Sequence, residues 1–191
     1  MGTELQDRGY LPTTSPYEDG RVVNPLPADV VDWVYVELRK EVDGAAVGGR
    51  SAFVRSDGVL MDDDVSAVVA VAGPAAGDYY VVVRHRNHLS VMSASPLSVS
   101  AGGSTQYDFT IGQEKAYGTE PMKDLGDGRF GMVGGDAAQV FGIVNSADRT
   151  AMWNERNQVG YRVTDVKLSG VVDSAARTLV WNNRNRSSQV P

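Results

Sequence analysis

The sequence predicts a mainly β chain, a β-sandwich closed by a pair of short helices, and three observations predict it. Short Val-rich runs recur between residues 32 and 111, separated by turn residues at the spacing of a sandwich. The 191 residues carry 21 glycines and 8 prolines, which interrupt any long helical period. The last third is written twice: GIVNSADRTAMWNERNQ (142–158) and GVVDSAARTLVWNNRNR (170–186) match at ten of seventeen positions, offset by 28 without a gap.

In chain order, residues 1–24 are polar and turn-rich and read as an extended N-terminal arm with three apolar anchors, Tyr10, Leu11 and Tyr17. These anchors pack on the arm's own domain or dock on a neighbouring copy. Residues 25–112 are the sandwich. In 32–39, Val34, Val36 and Leu38 alternate with Trp33, Tyr35 and Glu37, the pattern of a half-buried strand that leaves Trp33 and Tyr35 on an open face. Strands follow at 51–55 and 59–61 around the Asp57-Gly58 turn, then at 65–71, 79–86, from 89, at 97–100 and at 105–111. Residues 113–135 form an ordered connector whose glycines and Pro121 allow no long element, with Tyr117 and Met122 packing it on the sandwich.

Residues 136–191 hold the duplicated pair. Asn145/Ser146 and Asp173/Ser174 are suitable N-caps, because their side-chain oxygens take the free N–H groups of a first helical turn. Ala147, Ala151 and Met152, or Ala175, Leu179 and Val180, mark one side of each helix, with Trp153 or Trp181 continuing the stripe. Each helix is too short to stand alone, so the two pack together. An EF-hand-type loop needs oxygen donors at its first, third, fifth, ninth and twelfth positions and glycine at the sixth. With Gly170 at the sixth, Asp165, Lys167, Ser169, Asp173 and Ala176 take those positions; with Gly142 there, Ala137, Gln139, Phe141, Asn145 and Asp148 do. Asp136 can lead the first loop only if it carries one extra residue. The candidate metal ligands are therefore Asp136, Asn145, Asp148, Asp165 and Asp173, with calcium the candidate cofactor. Lysine at the third position and alanine at the twelfth depart from that ligand set.

The paired loop-helix segments resemble the dockerin type I repeat. The chain from about Gly9 onward also resembles the C-terminal region of large secreted surface proteins of Bacteroidota-type bacteria, on the blocks DWVYVELR, GDYYVVVRHRNHLSVM, YGTEPMKDL and GRFGMVGGD, both repeats and the final SSQVP. The strand pattern is similar to fibronectin-like or prealbumin-like modules. The resemblance implies an extracellular or cell-surface setting, an export signal upstream of Met1 and, for many relatives, a C-terminus read by a type IX-like secretion system.

The residues themselves bound the function. A net charge of −6 opposes a nucleic-acid partner, there is no cysteine to form disulfides, and no run approaches the roughly 18 apolar residues of a membrane span. Gly-x-Ser-x-Gly, phosphate-cradling and His-Glu-x-x-His motifs are all missing, so no enzyme is predicted. The 62–64 aspartate run reads as a solvated loop. His85 and His88 stand three apart, outside same-face geometry, and read as a structural turn. Three functions fit. A non-catalytic structural module anchors or self-assembles at the surface, using copies of itself or a surface-anchored protein. A dockerin-like adaptor binds a protein through Arg149, Arg156, Arg177 and Arg184. A glycan-binding sandwich uses the open aromatic face. Tyr10, Leu11, Tyr17, Trp33 and Tyr35 are the interface residues of the first reading.

Overall fold

The computed structural model describes residues 1–62, 68–138 and 142–191. The chain is mainly β and its strands pair antiparallel. β1 (Val30–Arg39) lies between β2 (Ala46–Arg55) and β4 (Gly77–His85). β3 (Leu60–Met61) flanks β2, while β5 (His88–Met92) and β6 (Leu97–Val99) both pair with β4. The alternation read from 32–39 is real, with Trp33 opposite Phe53 and Val34 opposite Ala52 across the β1–β2 ladder.

The expected open face is absent. Every residue of β1 except Tyr35 is buried, because both sides of the sheet are covered. On the Trp33 side, the arm supplies Leu5, Leu11 and Val23 to a core that includes Phe53 and Met61 and is flanked by Tyr10 and Tyr17. The arm contains a short helix, α1 (Glu4–Asp7), and is tied down where Pro12 carbonyl accepts Trp33 Nε1–H at 2.8 Å. On the other side, Val34, Val36, Ala52, Val83 and Val91 meet Ala116 and Met122 of the connector, with Phe109, Phe130 and Met132 packed around them. Two apolar layers leave no wet face, and both sides of the strand alternation serve packing.

Two expected strands are not formed as predicted. Of 65–71, residues 65–67 lie outside the described residues and 68–71 carry no strand pairing. Residues 105–111 end in a single 3₁₀ turn, Phe109–Ile111, where Asp108 Oδ1 accepts the Thr110 N–H and hydroxyl at 2.8 and 2.7 Å. That local capping competes with a sheet ladder for the same backbone. The connector instead holds a hairpin, β7 (Lys123–Gly126) and β8 (Arg129–Gly131), turned by Asp127 and Gly128, both with positive φ.

The third core belongs to the duplicated segment. Its helices, α2 (Ser146–Asn154) and α3 (Ser174–Asn182), bury Met152, Ala176 and Val180 against Val133, Val144, Val166, Val172 and Leu89 of β5. The predicted apolar stripe holds at Met152 and Val180, which are buried, and at Leu179, which packs on the core, while its first position on each helix moves on by one residue. The innermost positions are Asp148 and Met152, or Ala176 and Val180, while Ala147, Ala175 and both tryptophans face outward.

Trp33 is wholly buried with its ring 4.0 Å from that of Phe53. Trp33→Ala removes the contact on which the arm rests and is expected to cost about 3–5 kcal/mol, measured by urea denaturation, with arm amides losing hydrogen-exchange protection first.

Candidate functional site

The two repeats are organised by their caps and by an exchange of backbone bonds. Asn145 Oδ1 accepts Ala147 N–H at 2.7 Å, and Asp148 returns the bond by accepting Asn145 N–H at 2.7 Å, a capping box. Asp173 Oδ1 accepts Ala176 N–H at 2.8 Å. The end of α2 bonds to the start of the second repeat through Asn157 N–H to Val172 carbonyl at 2.8 Å. The end of α3 bonds to the start of the first through Asn185 N–H to Val144 carbonyl at 2.8 Å. Those residues correspond at the sequence offset of 28, so the pair has a local pseudo-twofold axis.

The loops keep the EF-hand turn and fill it with their own donors. Gly170 has φ +77° and its N–H reaches Asp165 Oδ2 at 2.6 Å. Ser169 donates to Asp165 Oδ1 at 3.3 Å and to Val171 carbonyl at 3.2 Å. Lys167 Nζ sits 2.9 Å from Asp173 Oδ2, an ammonium on the carboxylate that a cation would use. With Ala176 contributing no oxygen, the second loop does not fit a divalent ion. In the first loop, Asn145 is spent on its cap, and Asp148, which is buried, accepts from Ala138 N–H at 2.8 Å as well as from Asn145. Asp136 Oδ1 is buried without a hydrogen bond. Burial, and then the charge of Asp148, push the Asp136 carboxyl up to about 6. Gln139 and Phe141 lie outside the described residues. Among the described residues no group of three or more His, Asp or Glu side chains is arranged to hold a metal.

What the helix pair turns outward is aromatic and basic. Trp153 and Trp181 are 52% and 49% exposed. Arg156 lies over Trp153 at 4.5 Å and Arg177, from the other helix, at 5.9 Å. Arg184 lies over Trp181 at 4.3 Å and Arg149, from the other helix, at 5.8 Å. Each indole therefore meets two guanidiniums, one just past the end of its own helix and one from the other helix. A shallow pocket beside Trp153 is lined by Arg156, Asn157, Asp173 and Arg177. The four arginines singled out from the sequence are brought together here. The tryptophans were expected to continue the stripe, and their Trp-Asn-x-Arg spacing, which puts Arg156 and Arg184 three residues on, is the signal that identifies them as surface partners.

The proposed interface residues are placed elsewhere. Trp33 and Leu11 are in the core, Tyr10 and Tyr17 flank it, and Tyr35 is half-buried with its ring 5.5 Å from that of Tyr17. The arm covers the face that was read as open, which removes Trp33 and Leu11 from any contact with another molecule and with them the aromatic platform of the glycan reading. Asp62 also departs from its reading as a solvated acid. It is buried and paired with Arg21 and with Arg50 at 3.0 Å, while Asp63 and Asp64 lie outside the described residues.

A buried polar cluster joins the sheet to the repeat pair. Asp32, fully buried on β1, accepts Trp33 N–H and Tyr161 O–H at 2.7 Å each and Arg86 Nε–H at 2.8 Å, with His85 Nε2 at 3.2 Å. Burial alone would raise its pKa, but the contact with His85, the charge of Arg86 and the Tyr161 hydrogen bond hold it below the usual carboxylate range. Arg86 stacks on Tyr161 at 4.1 Å and bonds Arg162 carbonyl, while Asn87 donates to Val163 and Asp165 carbonyls at 2.8 and 3.0 Å. The histidines expected to stand apart are brought together by the tight β4–β5 turn, which makes them direct cross-strand partners, with Nδ1 atoms 3.1 Å apart.

No protein-family model and no curated protein matches this chain. It is similar in shape to a chain in crystal structures of an N-terminal and a C-terminal interface mutant of a type II Cohesin-X-Dockerin complex from Acetivibrio cellulolyticus. Each is 18% identical over 81% of this chain and 82% of that one, with TM-scores of 0.44 and 0.45.

Two outcomes are expected. Asp32→Ala strands the Arg86 charge in the interior and lowers stability by about 3–5 kcal/mol, read by urea denaturation. Asp136→Asn gains stability at neutral pH, where the folded carboxylate is ionised against its environment, and gains little near pH 4. The folded pKa is above the unfolded one, so stability from the bound proton is present below the unfolded value and is lost as pH rises through about 6. Melting curves of both proteins across that range check the sign.

Proposed function

We propose that the chain is a non-catalytic protein-interaction module that binds an acidic partner through the outer face of α2 and α3. The observation that carries this is the doubled Arg–Trp–Arg arrangement. Tryptophan and arginine are the residues on which binding energy concentrates at interfaces. The guanidiniums are held by stacking, which reduces the freedom lost when they engage carboxylates. Charge adds direction, since four arginines gather on one face of a chain whose net charge is −6.

The structural reading narrows to this one because the arm and Trp33, on which self-assembly rested, are engaged in the chain's own core. An extracellular or cell-surface setting belongs to the proposal, as does calcium independence of the helix pair. Lys167 supplies the second loop with a resident cation, and backbone donors take most of the oxygens in both loops.

The test compares the wild-type chain with Trp153→Ala/Trp181→Ala. Envelope and secreted proteins captured by each are quantified, and each purified candidate is then titrated by calorimetry at low and high salt. A partner with an acidic surface is expected to bind the wild type, to weaken with salt, and to lose about 2 kcal/mol or more in the double variant. Unchanged melting temperature in the variant shows that the fold is intact. Equal binding by both proteins overturns the reading, and so does large-assembly light scattering that persists in the variant. The wild-type melting temperature is expected not to move on adding calcium or a chelator, and a strong rise with calcium defeats that part of the proposal.

A further inference from the structure

We propose that the His85–His88 pair is an acid-sensitive catch, in which protonation of His88 undocks the helix pair from the β4–β5 end of the sheet. The geometry assigns both rings as neutral. Asn87 N–H points at His85 Nδ1 at 3.3 Å, so that nitrogen is an acceptor and the ring proton is on Nε2, 3.2 Å from Asp32. His88 Nδ1 is 2.8 Å from Asn87 Oδ1, which can only accept, so the proton of His88 is on Nδ1. Its other nitrogen, Nε2, is left as an acceptor turned toward the segment that carries α3. A Cβ placed on Gly134 would come within 3.0 Å of His88 Nε2 and 3.1 Å of Leu179 Cδ2, so the ring, Gly134 and α3 are stacked with room for nothing larger than glycine.

The same strip is the joint. His88 and Gly134 form a β-bridge, Asn183 at the end of α3 donates to Gly134 carbonyl at 2.8 Å, Leu89 N–H bonds Val133 carbonyl, and Gly135 N–H bonds Asn87 carbonyl. A proton on His88 Nε2 would be driven into this packing, where the Gly134 carbonyl is already taken by Asn183. The groups that face the ring oppose the charge. His85 comes from β4, Arg86 and Asn87 from the turn, and Leu179 from α3. Asp32 on β1 is an anion that favours the charge, but Asp32 is engaged by Arg86, Tyr161 and the Trp33 amide, with His85 beside it. Burial first, then His85 and Arg86, hold the His88 pKa well below its ordinary value, against the weaker pull of Asp32.

The sign follows from linkage. The undocked state binds a proton near the ordinary histidine pKa and the docked state does not, so docking is complete above about pH 6.5 and weakens about tenfold for each unit below it. Asp136, two residues beyond Gly134, acts the other way, because its raised pKa lets the docked state take up a proton as pH falls through about 6. The His88 contribution is therefore read as a difference between proteins.

The experiment is hydrogen exchange on the full chain at about pH 7.5 and about pH 5.5, corrected for intrinsic rates, in wild type and His88→Asn, which keeps a donor where Nδ1–H stood and cannot be protonated. Between the higher and the lower pH, the protection of α2 and α3 amides is expected to fall about tenfold further in the wild type than in the variant, while β1 keeps its own in both. The same change in protection with pH in the wild type and in His88→Asn overturns the proposal. If that variant does not fold, nitrogen NMR of the wild-type histidines decides. The protonated His88 signal is expected only in the species whose helices have released. An ordinary titration near 6.5 with α3 still protected overturns it.

Discussion

A carboxylate with no access to water holds this molecule's parts in register. Asp32 lies on the central strand, and its two oxygens receive three donors from three places: the next backbone amide, the β4–β5 turn through Arg86, and the segment between the repeats through Tyr161, with His85 of β4 alongside at 3.2 Å. A buried ion pair is weak evidence of stability as such, because desolvation offsets much of its attraction. Its value here is geometric. An isolated charge at that depth is prohibitive, so the sheet and the repeat pair must meet in the one arrangement that brings every donor to Asp32.

The cores around it complete the same arrangement. The arm closes the Trp33 side of the sheet and also reaches the second repeat. Leu168 and Tyr161 pack into the arm's core, and Gly170 lies so close to Tyr10 that a Cβ would fall 2.8 Å from that ring. The connector closes the other side. The helix pair is thereby fixed on its inner face, and on its outer face Trp153 and Trp181 stay exposed. Its loops keep the left-handed glycines of a cation-binding turn while their oxygens answer to backbone amides and to Lys167.

Much of this was legible. The caps at Asn145 and Asp173 act through the small polar oxygens that the sequence marks, and the repeat offset reappears as exchanged backbone bonds. β1, β4 and the Asp57-Gly58 turn follow from alternation and turn chemistry. The candidate metal residues lie at loop and cap positions, and which proton donors reach them was not readable, since Ala138 N–H meets Asp148 from ten residues away. Tryptophan was misplaced for a related reason. On a nine-residue helix, a position adjacent to the apolar stripe can turn in or out, and guanidiniums from the neighbouring helix decided it.

The sequence by itself determined the local rules: where helices start, where the chain must adopt a left-handed turn, which strand residues alternate, and that one segment is a copy of another. Those depend on neighbours within a few residues, where sterics and capping act. Only the tertiary structure decided that both sides of the sheet are covered, that Asp62 and Asp32 are interior, and that His85 meets His88. Burial and charge pairing are properties of what arrives from elsewhere in the chain, and an alternating strand reads the same whether its second face meets water or an arm of its own protein.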